Sequence, residues 1–262
     1  MQLFTEHYNF YKPWQKNKTA LVLIHGLGAN TKMWFCQIPD FSSHIPVITV
    51  DLPGCGQSPK YNSKITINKM AEELHDALAQ FDYENYILLG ISLGGFVTLE
   101  FANIYQNKTK AVIFASTPYE FEEQNKPLLF KTLKTYEKLS VKQIAEQRIP
   151  NAFKSSSNKE LISYLIDLIS ETKHGVYIDY ATAPLYFNSA EKFGHVKCPS
   201  LIITGDSDAL AGPDQANKIH KKILNSNLYI LKYTGHASSI DNPVEFNKVV
   251  LDYLISKIKI ND

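Results

Sequence analysis

Ser92 lies between two glycines, in the sequence Gly90-Ile-Ser-Leu-Gly94. Residues 86–89 before it form a short apolar run of strand length, and residues 96–105 after it are apolar almost all round, as in a helix packed on a sheet. A serine at such a strand-to-helix turn has strained backbone angles, and side chains two positions to either side would collide with the neighbouring strand and helix. The pattern therefore predicts a nucleophile elbow that exposes the hydroxyl of Ser92.

A carboxylate and an imidazole follow two later apolar runs. Asp208 comes after the run at residues 200–204, and His236 comes after the run at residues 228–233. Ligands of open parallel sheets bind beyond the carboxyl ends of the strands, so we expect all three side chains at one edge. His236 would then act as general base towards Ser92, and Asp208 would hold the imidazole in the required tautomer.

Two further residues compete for these roles. Asp206 is the rival carboxylate, although a residue immediately after a strand often caps the turn instead. His25 lies beside the glycine turn at residues 26–28, and we expect it to hold that loop by hydrogen bonding rather than to take part in catalysis.

The elements that position these residues alternate between short apolar strands and amphipathic helices. This alternation predicts a mostly parallel sheet with helices on both faces, with one or two edge strands added by residues 1–18. The predicted strands cover residues 20–24, 47–50, 86–89, 111–115, 200–204 and 228–233. The predicted helices between and after them cover residues 30–41, 66–81, 96–105, 213–224 and 243–258.

The alternation stops between residues 119 and 195, where no strand-like run occurs and about four helical segments are expected. We therefore predict a helical cap inserted before the last two strands. The predicted division is a core from 1–118, a cap from 119–195 and a second part of the core from 196–262.

Composition limits the possible partners. The 262 residues are 44% hydrophobic, enough for one large core, and a net charge of +1 gives no attraction to nucleic acid or an anionic membrane. No apolar run is long enough to span a bilayer and the first residues lack signal-peptide features, so a cytoplasmic protein is expected. The three cysteines and eight histidines have no metal-binding spacing, and we expect no metal and no cofactor.

Together these features resemble the α/β-hydrolase-fold serine hydrolases, especially small cap-bearing bacterial carboxylesterases and related lactonases and thioesterases. The resemblance covers nearly the whole chain, from the His25-Gly-Leu-Gly28 turn to Asn242-Pro243. Its pattern places the acid three residues after a glycine, as in Gly205-x-x-Asp208, which favours Asp208 over Asp206.

The resemblance also implies an oxyanion hole. Its donors would be the backbone N–H groups of Leu93, directly after the nucleophile, and of Leu27, in the loop after the first central strand. The side chains of Leu27 and Leu93 are expected to line the floor of a substrate pocket. Trp34 is a third candidate for substrate binding, with a place in the core as the alternative.

The activity implied by this resemblance is hydrolysis of small to medium carboxylic esters through an acyl-Ser92 intermediate, with thioesters and lactones as close alternatives. The predicted cap is rich in Leu, Ile, Phe and Tyr, which fits an uncharged or acyl-chain substrate. The same triad could instead serve carbon–carbon bond hydrolysis or cofactor-free haloperoxidase-type chemistry, and a non-catalytic binding protein on this fold is the remaining alternative. Arg148, the single arginine, could clamp an anionic acyl tail or lie on a solvated helix face.

Overall fold

The computed structural model describes residues 2–9, 18–61, 64–154 and 159–260 of the chain. Seven strands within these residues form one sheet in the order β1-β3-β2-β4-β5-β6-β7. The strands are β1 (Thr5–Tyr8), β2 (Thr19–Ile24), β3 (Val47–Val50), β4 (Asn85–Ile91), β5 (Thr109–Ala115), β6 (Ser200–Gly205) and β7 (Ser226–Leu231). Strand β1 is antiparallel to β3, and the other pairs are parallel, which confirms the predicted mostly parallel sheet.

Helices cover both faces of this sheet, as predicted. They are α1 (Ile38–Ser42), α2 (Ile67–Leu78), α3 (Leu93–Ile104), α4 (Lys126–Tyr136), α5 (Val141–Arg148), α6 (Lys159–Ser170), α7 (His174–Thr182), α8 (Ser189–Phe193), α9 (Pro213–Lys222), α10 (Ser238–Asp241) and α11 (Pro243–Tyr253). Successive strand residues point to opposite faces, so Leu88 of β4 packs in one core cluster with Leu74 of α2, and Leu89 packs in the other with Phe246 of α11. None of the helices in the described ranges has the length and apolarity to cross a bilayer.

Between β5 and β6 the described chain forms helices α4 to α8 and short 3₁₀ turns, without a strand. The insertion of helices before the last two strands is therefore as predicted, although the described part holds a short fifth helix, α8, in addition to the four expected. The parallel register brings the ends of the central strands together, since Ile24 at the end of β2 pairs with Gly90 of β4, which pairs with Phe114 of β5. Loops after these strands consequently meet at one edge, beneath the inserted helices.

Two predicted elements differ in the structure. The single helix expected at residues 30–41 is a 3₁₀ turn at Thr31–Trp34 followed by the separate helix α1. Pro39 explains the break, because it lacks an N–H to continue a helix but is well placed in the first turn of a new one. At the N-terminus β1 is the strand described, and residues 10–17 of the predicted edge segment lie outside the described residues.

Two glycines allow α3 to approach β2 and β4 closely. A Cβ on Gly90 would lie 2.1 Å from the carbonyl oxygen of Gly94, and a Cβ on Gly94 would lie 2.3 Å from the carbonyl oxygen of Ile24. Both contacts are with backbone atoms, which cannot move aside without shifting the sheet or the helix. The steric argument made from the sequence for these two glycines therefore holds.

Gly90→Ala should lower the free energy of unfolding by about 3 kcal/mol or more, because the added methyl group overlaps the first turn of α3. Urea unfolding followed by circular dichroism measures this change. Gly175→Ala in α7 is the matched control, since its nearest neighbour is the flexible end of Lys60 at 3.4 Å. That variant should be neutral or more stable by up to about 1 kcal/mol, and equal destabilisation of both variants would contradict the steric argument.

Candidate active site

Ser92 occupies the turn between β4 and α3 with a strained backbone. Its φ of 54° and ψ of −114° are unusual for a residue with a Cβ. The strain is held by two backbone hydrogen bonds, from the Ser92 N–H to the Ala115 carbonyl at 2.9 Å and from the Gly95 N–H to the Ser92 carbonyl at 2.9 Å. The side chain of Ser92 is thereby fixed at the carboxyl edge of the sheet, where it lines a cavity.

His236 joins Ser92 to a carboxylate. Its Nε2 lies 3.0 Å from Ser92 Oγ, and its Nδ1 lies 2.8 Å from Asp208 Oδ2. Because an ionised carboxylate only accepts hydrogen bonds, Nδ1 carries the proton and Nε2 is free to accept the serine proton. The structure thus brings together the three residues that the sequence placed after separate strands.

Backbone hydrogen bonds hold the residues directly before and after His236. The Gly235 N–H donates to Asp241 Oδ2 at 2.7 Å, and the Ala237 N–H donates to the Ala152 carbonyl at 2.8 Å. Gly235 is required here, because a Cβ would lie 2.5 Å from the same Ala152 carbonyl. The position of His236 therefore depends on a segment of the inserted helical region as well as on β7.

Asp208 is buried and fully hydrogen-bonded. Its side chain has no exposed surface, and its Oδ1 accepts the N–H groups of Leu210 at 2.9 Å and Ala211 at 2.8 Å. Burial opposes ionisation of this carboxyl, but the hydrogen bond and charge of His236 and the two amides outweigh it. The pKa of Asp208 therefore lies below its ordinary value.

Asp206, the rival carboxylate, makes no hydrogen bond to the imidazole within the described residues. It is exposed, and its Oδ1 accepts the Ser207 hydroxyl at 2.9 Å and the Thr234 N–H at 3.3 Å. These contacts tie the ends of β6 and β7 together, so Asp206 caps the turn. The geometry favours Asp208 as the partner of His236.

His25 holds the loop after β2. Its Nε2 accepts the Leu52 N–H at 3.0 Å, so Nδ1 carries the proton and donates to the Gly26 carbonyl at 2.8 Å. The ring is fully buried, and burial lowers the pKa of His25, which keeps it neutral. These contacts agree with the loop-holding role expected from the sequence.

The two candidate oxyanion donors border the same space as Ser92. Leu93 is the first residue of α3, where backbone N–H groups have no partner within the helix. Neither its N–H nor that of Leu27 donates a hydrogen bond within the described part of the chain. Both amides are therefore free to bind an oxyanion, and the partial positive charge at the start of α3 would add to the effect of Leu93.

Two neighbouring cavities, of about 500 Å³ and 250 Å³, lie beside Ser92. Their lining is mostly apolar, and Leu93 and Phe96 border the smaller one while Met33 and Ile169 border the larger. Five residues line both cavities: Leu27, Ser92, Tyr136, Arg148 and Leu210. In the described residues no group of three or more His, Cys, Asp or Glu side chains is placed so that it could hold a metal ion.

The substrate-binding prediction for Trp34 is wrong. Its side chain is fully buried in the core beneath the cavity, and Met33 lines the cavity instead. Two further lining residues, Tyr136 and Leu210, were not among the substrate-binding residues predicted from the sequence. Leu210 follows Asp208 by two residues in the turn after β6, so its position at the strand edge was a usable signal, whereas the place of Tyr136 depends on how α4 packs.

Comparison with known proteins identifies the fold. A protein-family model described as the α/β hydrolase fold matches residues 19–145 of this chain. These residues include Ser92 and both candidate oxyanion residues. Among curated proteins, the "Putative carbamate hydrolase RutD" of Escherichia coli O139:H28 is 23% identical over 254 residues, covering 90% of this chain and 91% of RutD.

Solved structures of similar fold cover almost the whole chain. A thermophilic esterase from Thermogutta terrifontis superposes with a TM-score of 0.87 at 21% identity, covering 98% of this chain and 93% of the esterase. A bromoperoxidase from Bacillus anthracis gives a TM-score of 0.86 at 24% identity, covering 96% of this chain and 95% of the other. At these identities the likeness establishes the shared architecture.

Asp208→Asn should reduce stability in a pH-dependent way. Because the folded-state pKa of Asp208 lies below the ordinary value of about 3.9, its carboxylate stabilises the fold above that pH, and the contribution is lost as the pH falls through the folded-state pKa. The free energy of unfolding should be about 1–3 kcal/mol lower than in wild type at pH 6, and the two proteins should converge as the pH falls below the folded-state pKa of Asp208.

Urea unfolding at a series of pH values measures this difference, with Asp82→Asn as the control because its carboxylate is exposed in the turn before β4. A difference between Asp208→Asn and wild type that stayed constant from pH 6 to the acid limit would contradict a stabilising Asp208 charge.

Proposed function

This chain is an α/β-hydrolase-fold protein, and we propose that it is a serine hydrolase that cleaves carboxylic esters. The observation that carries the proposal is the hydrogen-bonded line from Ser92 Oγ through His236 to Asp208, with distances of 3.0 and 2.8 Å, at the edge of a mostly apolar cavity. A hydroxyl activated by an imidazole and a carboxylate is the arrangement that acyl transfer requires.

In the proposed reaction, Nε2 of His236 removes the Ser92 proton as Oγ forms a bond to the ester carbonyl carbon. The carbonyl oxygen becomes an oxyanion and accepts the N–H groups of Leu27 and Leu93. His236 then gives its proton to the leaving alcohol as the carbon–oxygen bond breaks. Water, deprotonated by the same imidazole, attacks the acyl carbon of acyl-Ser92. His236 returns that proton to Ser92 Oγ as the acyl carbon–oxygen bond breaks, which releases the acid and restores the free hydroxyl.

Asp208 supports both steps without reacting. Its Oδ2 holds the proton on Nδ1 of His236, and its charge stabilises the imidazolium that forms when the serine proton moves. The two amide hydrogen bonds from Leu210 and Ala211 keep the carboxylate ionised and fixed in the turn.

The inserted helices, in the proposed cap at residues 119–195, are the part that selects the substrate. They contribute Leu129, Leu133 and Leu185 to the smaller cavity, which suits an acyl chain. The name of RutD points to a carbamate as a second acyl substrate open to the same serine attack. The likeness to the bromoperoxidase concerns the fold alone. Halogenation is therefore only a secondary alternative, which can be tested beside ester turnover.

Ser92→Ala should lower kcat/KM for p-nitrophenyl esters by about 10³-fold or more and leave the unfolding transition nearly unchanged, because it removes one hydroxyl at a cavity wall. Turnover across a series from acetate to long acyl chains, together with labelling by a fluorophosphonate, measures the effect. Ser256→Ala, at an exposed serine, should behave as wild type. Undiminished turnover or labelling in Ser92→Ala would assign the nucleophile elsewhere.

Asp208→Asn and Asp206→Asn should separate the two carboxylates. The first should lower kcat by about 10³- to 10⁴-fold, because the amide cannot hold the proton on Nδ1. The second should change kcat by less than about threefold, since Asp206 makes no hydrogen bond to His236 in the described structure. Equal losses in steady-state rates of ester hydrolysis would contradict the assignment of Asp208.

A further inference from the structure

Arg148, the single arginine of the chain, borders the space in front of Ser92. It is the last residue of α5, is half-buried, and lines both cavities. The two linings share five residues, of which Arg148 is the one with a formal positive charge. A substrate in either cavity beside Ser92 is therefore bounded by a wall to which Arg148 contributes.

The guanidinium has a neutral partner and no counter-ion in the described part of the chain. Its Nη1 donates to Tyr177 Oη at 2.8 Å, and no Asp or Glu of the described residues lies within ion-pair distance. Burial of Tyr177 outweighs the opposing effect of Arg148 and raises the pKa of that phenol, so Tyr177 stays neutral. One of the five N–H groups of the guanidinium is used in this contact, and the others remain for a ligand.

No negatively charged side chain in the described cavity linings compensates the positive charge of Arg148. No Asp or Glu lines either cavity among the described residues, and the walls around Arg148 are aliphatic or aromatic apart from neutral polar groups. A charge taken partly out of water without a counter-ion is unfavourable, and an anionic ligand would reverse that cost. Tyr136, whose hydroxyl makes no hydrogen bond within the described residues, lines both cavities as well and can donate to the same ligand.

The position of Arg148 at the end of a helix explains part of this arrangement. A positive charge at a helix C-terminus is favourable, which accounts for a cation after α5. It does not account for a side chain that turns towards Tyr177 and the cavity instead of towards water. The contact with Tyr177 fixes the guanidinium in front of the cavity, as a binding group requires.

We propose that Arg148 binds a carboxylate of the substrate, so that the preferred substrates are half-esters of dicarboxylic acids, with one free carboxylate and one ester bond. This inference rests on the proposed esterase function and narrows its substrate class. A planar guanidinium pairs with a carboxylate through two parallel hydrogen bonds. One positive charge also matches a monoanion better than a phosphate dianion.

The test compares monomethyl adipate with dimethyl adipate, which share the scissile bond and differ in one negative charge. Acid release is titrated at constant pH for wild type, Arg148→Gln and Arg148→Lys. Lys142→Gln is the control, because it removes an exposed positive charge from the same helix. The ratio of kcat/KM for the half-ester to that for the diester should fall about tenfold or more in Arg148→Gln, mainly through KM. It should recover in part in Arg148→Lys and stay at the wild-type value in Lys142→Gln.

An unchanged ratio in Arg148→Gln would overturn the carboxylate site. If kcat/KM fell equally for both esters, which also leaves the ratio unchanged, Arg148 would be assigned to packing. Calorimetric titration with adipate tests the same site without turnover, and wild type should bind adipate at millimolar concentrations while Arg148→Gln does not. Adipate binding that depends on Arg148, without hydrolysis of either ester, would support the carboxylate site and contradict the esterase function. Ser92-dependent hydrolysis without adipate binding by wild type would do the reverse.

Discussion

The close contact between α3 and the two central strands is the constraint on which the site depends. Because Gly90 and Gly94 have no Cβ, the first turn of α3 lies against the backbone of β2 and β4. That contact holds Ser92 at a positive φ, and in the same first turn the Leu93 N–H has no partner among the described residues. One piece of steric packing therefore supplies the exposed hydroxyl and one of the two proposed oxyanion donors.

Charge is distributed unevenly around this turn. Asp208 is fully buried behind His236 and is held by the amides of its own turn, away from the cavity. On the cavity side the formal charge in the described lining is the positive one of Arg148. The imidazole of His236 thus lies between the fixed Asp208 carboxylate, which supports proton transfer, and a cavity suited to an anionic ligand. An apolar wall alone would not make this distinction between neutral and charged substrates.

The core could be predicted from the sequence because its signals are local. A buried parallel strand is a continuous apolar run, and the residue that follows it must lie at the carboxyl edge, which was enough to place Ser92, Asp208 and His236 together. The break at Pro39 was missed because the apolar spacing on both sides of it continued without interruption. Trp34 was left with two alternatives for a related reason, since spacing alone does not tell which face of a short turn points to the core; its full burial favours the core.

The inserted region was predictable as a strand-free helical segment before the last two strands, but the number of its helices and their contacts were not. Whether Tyr136 or Arg148 faces the cavity depends on how α4, α5 and α7 pack on one another, and no periodicity within one helix determines that. Both orientations of Arg148 were open from the sequence, and the hydrogen bond to Tyr177, 29 residues away, decides between them. Substrate specificity therefore depends on contacts between residues that are far apart in the sequence.

The hydrogen bond between Ala152 and Ala237 connects the inserted helices, which border the substrate cavities, to the loop that carries His236. Ala152 follows Arg148 by a single 3₁₀ turn, Ile149–Ala152, and its carbonyl anchors the residue next to His236. The segment that follows the arginine therefore also positions the loop of the catalytic base. For this reason the inserted helices cannot be exchanged as an independent module. A chimera that carries different inserted helices on this sheet would need to keep the Ile149–Ala152 turn, so that His236 stays within hydrogen-bond distance of Ser92.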